Sequence, residues 1–524
     1  MSVEEKAVVE ERVSGFQRFL KGVEFVGNKL PDPFWLFVIL GLTVIGLSAY
    51  LSNLGLYVTY LSGRPGEGMI TTEVVNLMSF PIMRELLQGL VTTFVTFAPL
   101  GLVLTLMLGI GIVEQTGMIS ALMRKTVLGM PPYAVTVAIA IIGIHANLAS
   151  DAGIIFAPVI GGAIFKAVGR NPWVGIIAGY ASASGGFTAN TLVAGTDVLL
   201  AGITQQVAEA RGIPGPTHPL INWYFMAVAA IVLIVVTVFV TEKITAKTLG
   251  DTYTGKIDAE EMAKHALTPE ENRGLAFALF GFIVWAGLFL YLTVPADSFF
   301  RADDGSLVPR SPLILSIVPV LFSFFFTMGV SYGVGARIIT STGDVPKLMA
   351  KGMQGCLGFL VVALPASLFI RLFSMSRLDT ILSVSGAQWL QAINLTGLPL
   401  LLMFILLVTC INMFLMSGSA KWLILAPIFV PMFAEMGFPP ALTQVVYRIG
   451  DTASNVICPV SFYLPVVIGL LNQYKPREDI KVGIGTVISL GLPFTAAYLL
   501  VLMIQISIWF LLGLPLGPGT PITM

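Results

Sequence analysis

Two polar stretches lie inside apolar sequence. The first is Met416-Ser417-Gly418-Ser419-Ala420-Lys421-Trp422, and about thirty residues later comes Arg448-Ile449-Gly450-Asp451-Thr452-Ala453-Ser454-Asn455. Charge in hydrocarbon is costly, so Lys421, Arg448 and Asp451 are functional candidates by default. Arg448 suits bidentate carboxylate binding, and Trp422 suits stacking on an aromatic ligand. Arg448 also lies one helical turn before Asp451, so the two are expected to pair on one face. A buried structural ion pair is the rival role for them, and packing is the rival role for Trp422.

An earlier stretch carries a degenerate copy. Ser150-Asp151-Ala152-Gly153 and on to Pro158 parallels Ser419 to Pro427, and Gly185-Gly186-Phe187-Thr188-Ala189-Asn190 parallels Gly450 to Asn455. The same identities in the same order in both halves indicate an internal repeat round one polar centre. Hydroxyl and amide oxygens gather at its four points: Asn147, Ser150, Ser417 and Ser419, then Ser182, Ser184, Thr188, Asn190, Thr191, Thr452, Ser454 and Asn455. Such oxygens suit a hard monovalent cation, and sodium is expected at Asn147, Ser150, Asn190 and Asp451. The competing role for each single hydroxyl is a bond to its own helix carbonyl. Asp151, Asp197 and Asp451 could carry a proton or complete a cation site, with helix capping as the alternative for the first two. The copy has Gly153 at the place of Trp422 and Gly186 at that of Asp451. The first half is therefore expected to hold mainly the cation, through Ser184, Gly186, Thr188, Asn190 and Thr452 of the facing break. The second half is expected to hold an organic ligand between Ser417–Trp422 and Gly450–Pro459.

The elements that position these residues follow from hydropathy. Of 524 residues, 56% are hydrophobic and 11% charged, against roughly 25% charged in soluble domains. The chain is read as an all-α polytopic membrane protein with nine transmembrane helices and two re-entrant hairpins. Net charge is zero, which gives no reason to expect nucleic acid as a partner. The expected organisation is a cytoplasmic segment 1–32, a first repeat 33–241 with a hairpin near 132–168, a cytoplasmic loop 242–273, an extra span 274–294, and a second repeat 311–513 with a hairpin near 398–433. Two spans are expected to break, one at 182–191 and one at 450–459. Polar breaks and hairpins at membrane depth are tolerated where they line a watery cavity.

Charge orients the layout. With the N-terminus inside, the expected cytoplasmic segments hold 20 Lys and Arg residues and the outer loops 6. That bias favours a cytoplasmic N-terminus. The extra span then puts the halves in opposite orientation, the inverted repeat of many secondary transporters.

Two readings from other classes compete. Asp197 and Asp451 could form an intramembrane aspartyl protease dyad, but the Gly-Asp pair at 450–451 is preceded by Arg448 where that signature needs Gly. A neighbouring cation would also hold ionised a carboxylate that must be protonated. No P-loop or HExxH motif is present. An ion or anion channel needs a continuous wetted path, whereas hairpins converging from both sides on a closed centre favour alternating access.

The residues Gly27 to Pro33, Ser184 to Asn190 with Asp197, Ser417 to Trp422, and Tyr447 to Asn455 with Pro459 resemble the AbgT family of p-aminobenzoyl-glutamate transporters over nearly the whole chain. The resemblance implies a multi-pass homodimer of the bacterial inner membrane. It would be a proton- or sodium-coupled secondary transporter of p-aminobenzoyl-glutamate or a related aromatic carboxylate, with sulfonamide efflux in some relatives. The substrate residues would be Ser417, Gly418, Ser419, Trp422, Arg448, Asp451, Asn455 and Pro459. No cofactor beyond the coupling ion is implied.

Overall fold

The computed structural model describes residues 31–61, 69–128, 131, 134–251, 265–308, 311–475 and 480–524. The expected segment 1–32 falls outside them except for its last two residues, as does much of the loop 242–273. Ser150 and Asp151 belong to a described helix, but their side chains lie outside the description.

Proline opens many of the helices, because the N–H it lacks is one the first turn leaves unbonded anyway. Helix α1 (Pro33–Asn53) begins this way, with Asp32 accepting from the Phe34 amide at 2.9 Å. A small antiparallel hairpin follows, β1 (Tyr57–Leu61) against β2 (Met69–Glu73), with Tyr57 opposite Glu73. Next come α2 (Phe80–Gln88), α3 (Leu90–Val95), α4 (Ala98–Gln115) and α5 (Met118–Leu128). The first hairpin is α6 (Val135–Ile144), a 3-10 turn Ala146–Ala149, and α7 (Ser150–Ala167). Then come α8 (Pro172–Gly185), α9 (Gly195–Arg211) and α10 (Trp223–Val240).

The second half contains α11 (Pro269–Tyr291), α12 (Ile317–Gly335), α13 (Asp344–Gly352), α14 (Leu357–Met375), α15 (Leu378–Ala392) and α16 (Gly397–Asn412). It closes with α17 (Gly418–Ala434), α18 (Pro440–Ser454), α19 (Leu464–Gln473) and α20 (Ile484–Leu512). Among the described residues seven helices are long and apolar enough to cross a membrane: α1, α4, α10, α11, α12, the α13–α14 run and α20. The pair α15–α16, bent by 120°, raises the number to eight.

Several boundaries differ from the sequence expectation, among them the first break, expected at 182–191, which begins only after Gly185. The second span was expected from Leu90 but starts at Ala98, because the chain turns at Thr96 and Phe97 ahead of Pro99. The stretch 378–392 was left without an element and forms α15, its apolar face buried through Ile381, Val384 and Leu390. The break expected at 450–459 begins later: Gly450, Asp451 and Thr452 are helical, and the regular helix ends at Ser454. Gly450 serves close packing, not unwinding. A Cβ there would sit 2.5 Å from the Ile405 carbonyl oxygen of α16.

The interior is built round α8 and α18. Residues Trp173 to Gly185 of α8 and Pro440 to Ser454 of α18 are buried on every face. In α8 the sequence is apolar or small throughout, as such a position requires. Helix α18 instead carries a polar stripe, Gln444, Arg448, Asp451 and Asn455, at helical spacing. Buried polar groups need partners, so the neighbouring helices must supply them. At the periphery, α11 buries Gly274, Ala278 and Gly281 and turns Phe280 and Tyr291 outward, as a helix in hydrocarbon does.

Candidate functional site

Each member of the α18 stripe is met from another helix. Gln444 accepts from the Thr204 hydroxyl of α9 at 2.5 Å. Arg448 donates through Nη2 to Asp197 Oδ1 of α9 at 2.6 Å, and to the Thr188 carbonyl in the first break. Asp451 lies 2.6 Å from the ammonium of Lys421 in the first turn of α17. Asn455 Oδ1 accepts from Asn412 Nδ2 at 2.8 Å. The expected pairing of Arg448 with Asp451 is therefore corrected. The two share a helix face, but each has an opposite charge on a different packed helix, and Arg448 joins the halves where Asp451 ties down a hairpin.

Asp197 combines both roles considered for it. Its Oδ2 accepts from the Ala194 amide at 2.8 Å, capping α9, and from Asn190 Nδ2 at 3.0 Å, while Oδ1 takes Arg448. Asn190 Oδ1 in turn accepts from Asn147 Nδ2 at the first tip, which also donates to the Phe187 carbonyl at 2.7 Å. A continuous buried network thus runs from the first hairpin through the first break to α18. In low dielectric such a network rigidifies the groups it pairs, and an atom it leaves unpaired, as Asn147 Oδ1 is, is costly. The hydroxyls of Thr188 and Thr452 meet directly, joining the first break to the last turn of α18. His145 is a satisfied helix-end residue: Nδ1 donates to the Ile141 carbonyl at 2.9 Å, and Nε2 meets the Thr191 hydroxyl at 2.8 Å.

At the second tip, Ser417 caps α17 by accepting from the Ala420 amide at 3.3 Å, and the Tyr447 hydroxyl donates to the Gly418 carbonyl. Gly418 has no Cβ where one would lie 3.1 Å from Asp451 Oδ2, so glycine lets the tip settle on the carboxylate. Trp422 turns away from the tip. It is fully buried, stacked on Tyr447 with ring centroids 4.5 Å apart, and donates to Thr204 Oγ1 at 3.0 Å. The stacking surface expected for a ligand is filled by the protein's own tyrosine.

A cavity of about 410 Å³ lies where these elements converge. Of the residues singled out from sequence, it is lined by Asn147, Ser184 and Thr188 from the first half and by Ser417, Gly418, Ser419, Asp451 and Asn455 from the second. Gly186, Asn190, Asp197, Thr452, Arg448, Trp422 and Pro459 stand behind that lining. Sequence reasoning missed the aromatic wall of Phe359, Phe462 and Tyr463, and the acid Glu114 of α4. Phe359 comes from an apolar helix, α14, and Phe462 and Tyr463 from the stretch after α18, so no spacing links them. It also missed Asn412, whose signal was present: an isolated amide at the end of an apolar helix.

The arrangement can bind an amphipathic anion. The start of α17 (Ser417, Gly418 and Ser419) lines the cavity together with rings and aliphatic side chains, and Glu114, Asn147, Asp451 and Asn455 belong to the same lining.

Comparison with known proteins agrees with this chemistry. Residues 18–524 match the family described as "AbgT putative transporter family". The p-aminobenzoyl-glutamate transport protein of Escherichia coli (strain K12) is 36% identical over 497 residues, covering 95% of each chain. Among solved structures, MtrF of Neisseria gonorrhoeae, from a class of antimetabolite efflux pumps, is similar with a TM-score of 0.87 and 36% identity, over 96% of this chain and 100% of that one. The YdaH transporter of Alcanivorax borkumensis is similar with a TM-score of 0.85 and 31% identity, over 93% and 100%.

Proposed function

The chain belongs to the AbgT family and is a multi-pass membrane transporter, not an enzyme, and from that premise we propose that it moves p-aminobenzoyl-glutamate or a related aromatic carboxylate, sulfonamide-type antimetabolites included. The observation that carries this is the lining of the 410 Å³ cavity, which combines Ser417 and Ser419 at the start of α17 with Phe359, Phe462 and Tyr463. A carboxylate is complementary to the first and an aryl ring to the second.

In this reading α6–α7 and α16–α17 are re-entrant hairpins, the halves are inverted repeats within nine spans, and transport proceeds by alternating access coupled to a sodium or proton gradient. Asn147, Ser150, Asp151, Ser184, Gly186, Thr188, Asn190, Asp197, Asp451 and Thr452 form the coupling region. Ser417, Gly418, Ser419, Asp451 and Asn455 meet the substrate, with Trp422, Arg448 and Pro459 shaping the site from behind. The protein would function as a homodimer in the bacterial inner membrane with its N-terminus in the cytoplasm.

Flux of labelled p-aminobenzoyl-glutamate into and out of proteoliposomes, with sodium and pH gradients imposed one at a time, tests the reading. Uptake or release driven by one gradient is expected. Flux that ignores both gradients would overturn coupling, and no flux of this solute or of sulfonamides would overturn the substrate class.

A further inference from the structure

The two halves build similar contacts at their tips and differ in what reaches the oxygen of the tip asparagine. In each, an asparagine beside the hairpin tip donates through Nδ2 to an asparagine of the broken span, Asn147 to Asn190 and Asn412 to Asn455. In each, the same Nδ2 also reaches a carbonyl just before that partner, Phe187 O at 2.7 Å and Asp451 O at 3.2 Å. With Nδ2 so engaged, each tip asparagine has its Oδ1 left to receive another donor.

In the second half that oxygen receives the ammonium of Lys421, which is fully buried and lies 2.6 Å from Asp451 Oδ1. In the first half, Asn147 is 5% exposed, and its Oδ1 is buried without a hydrogen-bond partner in the lining of the cavity. The buried hydroxyl of Ser184 lines the same space. Sequence explains the difference. Aligning Ser150 with Ser419 puts Ala152 at the place of Lys421, and aligning Gly185 with Gly450 puts Gly186 at the place of Asp451. The lysine and its carboxylate are absent together from the first half.

We infer that Lys421 is a tethered cation: its ammonium fills, in the second half, the position a mobile monovalent cation takes at Asn147 in the first. An ammonium and a small cation answer the same need, since inward-facing oxygens in low dielectric require a positive partner. The second hairpin is then permanently loaded, and ion coupling runs through the first hairpin alone. This consequence for coupling rests on the transport reading above; the cation chemistry does not.

The test uses the full-length purified protein. Radioactive sodium binding and thermal unfolding are measured in sodium and in choline chloride at equal ionic strength, for wild type, Lys421→Ala and Lys421→Ala/Asp451→Asn. Lys421→Ala should bind one more sodium per chain than the wild type. Its unfolding midpoint should also gain more from sodium over choline, as a ligand bound only by the folded state requires. Adding Asp451→Asn should remove the extra site. Equal sodium stoichiometry in Lys421→Ala and wild type overturns the inference. So does a Lys421→Ala protein that unfolds alike in both salts while the charge-neutral Lys421→Met/Asp451→Asn folds, because Lys421 is then only a countercharge. Flux plays no part in this comparison, so its failure leaves the transport reading standing, and a failed flux assay leaves this result intact.

Discussion

Arg448 and Asp197 are 251 residues apart in sequence, yet their Nη2 and Oδ1 atoms lie 2.6 Å apart, buried, at the junction of the two halves. Asp197 also caps α9 and holds Asn190, so this one contact ties α18 to the first break and, through Asn190, to the first hairpin.

Breaking that pair from one side should destabilise the protein more than removing both charges. We expect Arg448→Gln to cost roughly 3–5 kcal/mol, because it strands a buried carboxylate, and Arg448→Gln/Asp197→Asn to recover part of that loss. Thermal unfolding of the two singles and the double, as a double-mutant cycle, measures the coupling. Additive losses would mean that the contact carries no energy.

Trp422→Ala should act on stability and leave ligand affinity close to wild type. The ring is fully buried and stacked on Tyr447, so its loss should cost about 3–5 kcal/mol as a cavity. Trp422→Phe keeps the stacking and loses only the bond to Thr204, so about 1 kcal/mol is expected. Ligand binding by calorimetry on the Phe variant gives the decisive number: a large drop in affinity would return Trp422 to the substrate.

Ser417→Ala and Phe359→Ala should show the opposite balance. Both residues line the cavity. Losing the Ser417 cap should cost about 1 kcal/mol of stability. Its loss as a donor to a carboxylate should weaken ligand binding roughly ten- to a hundredfold. Phe359→Ala should weaken binding of aryl substrates more than that of glutamate alone. Unchanged competition by both ligands would remove the aromatic wall from the site.

Acid should loosen the connection between α9 and α10. Burial holds His218 well below its ordinary 6.5, at about 4, with its bond to the Pro518 carbonyl opposing. Nδ1 accepts from the Leu220 amide at 3.2 Å, so protonation there breaks a bond. The unfolded chain takes up this proton at higher pH than the folded one. The contribution is therefore complete above pH 6.5 and is lost as pH falls toward 4, reaching on the order of 2 kcal/mol by pH 5. Thermal midpoints from pH 7.5 to 5 should fall less steeply in His218→Gln. Parallel curves would show that His218 is not responsible.

Much of this architecture was legible in the sequence because its causes are local. A long apolar run predicts a membrane helix whatever its neighbours, and a charge within such a run is costly wherever it lies. Hence the seven long apolar helices and the cavity-lining residues Ser417, Asp451, Asn147 and Thr188 could be named in advance. Choice of partner is different, since it depends on which helices pack together. Arg448 and Asp451 are one turn apart, and spacing alone pairs them; packing α9 and α17 against α18 gives them to Asp197 and Lys421 instead. Trp422 looks like a ligand platform until Tyr447 arrives from another helix to cover it. The aromatic wall of the cavity is assembled from α14 and the stretch after α18, distant segments with no shared pattern. Hydropathy and the cost of burying charge are set residue by residue, whereas pairing energies exist only once distant helices are in contact.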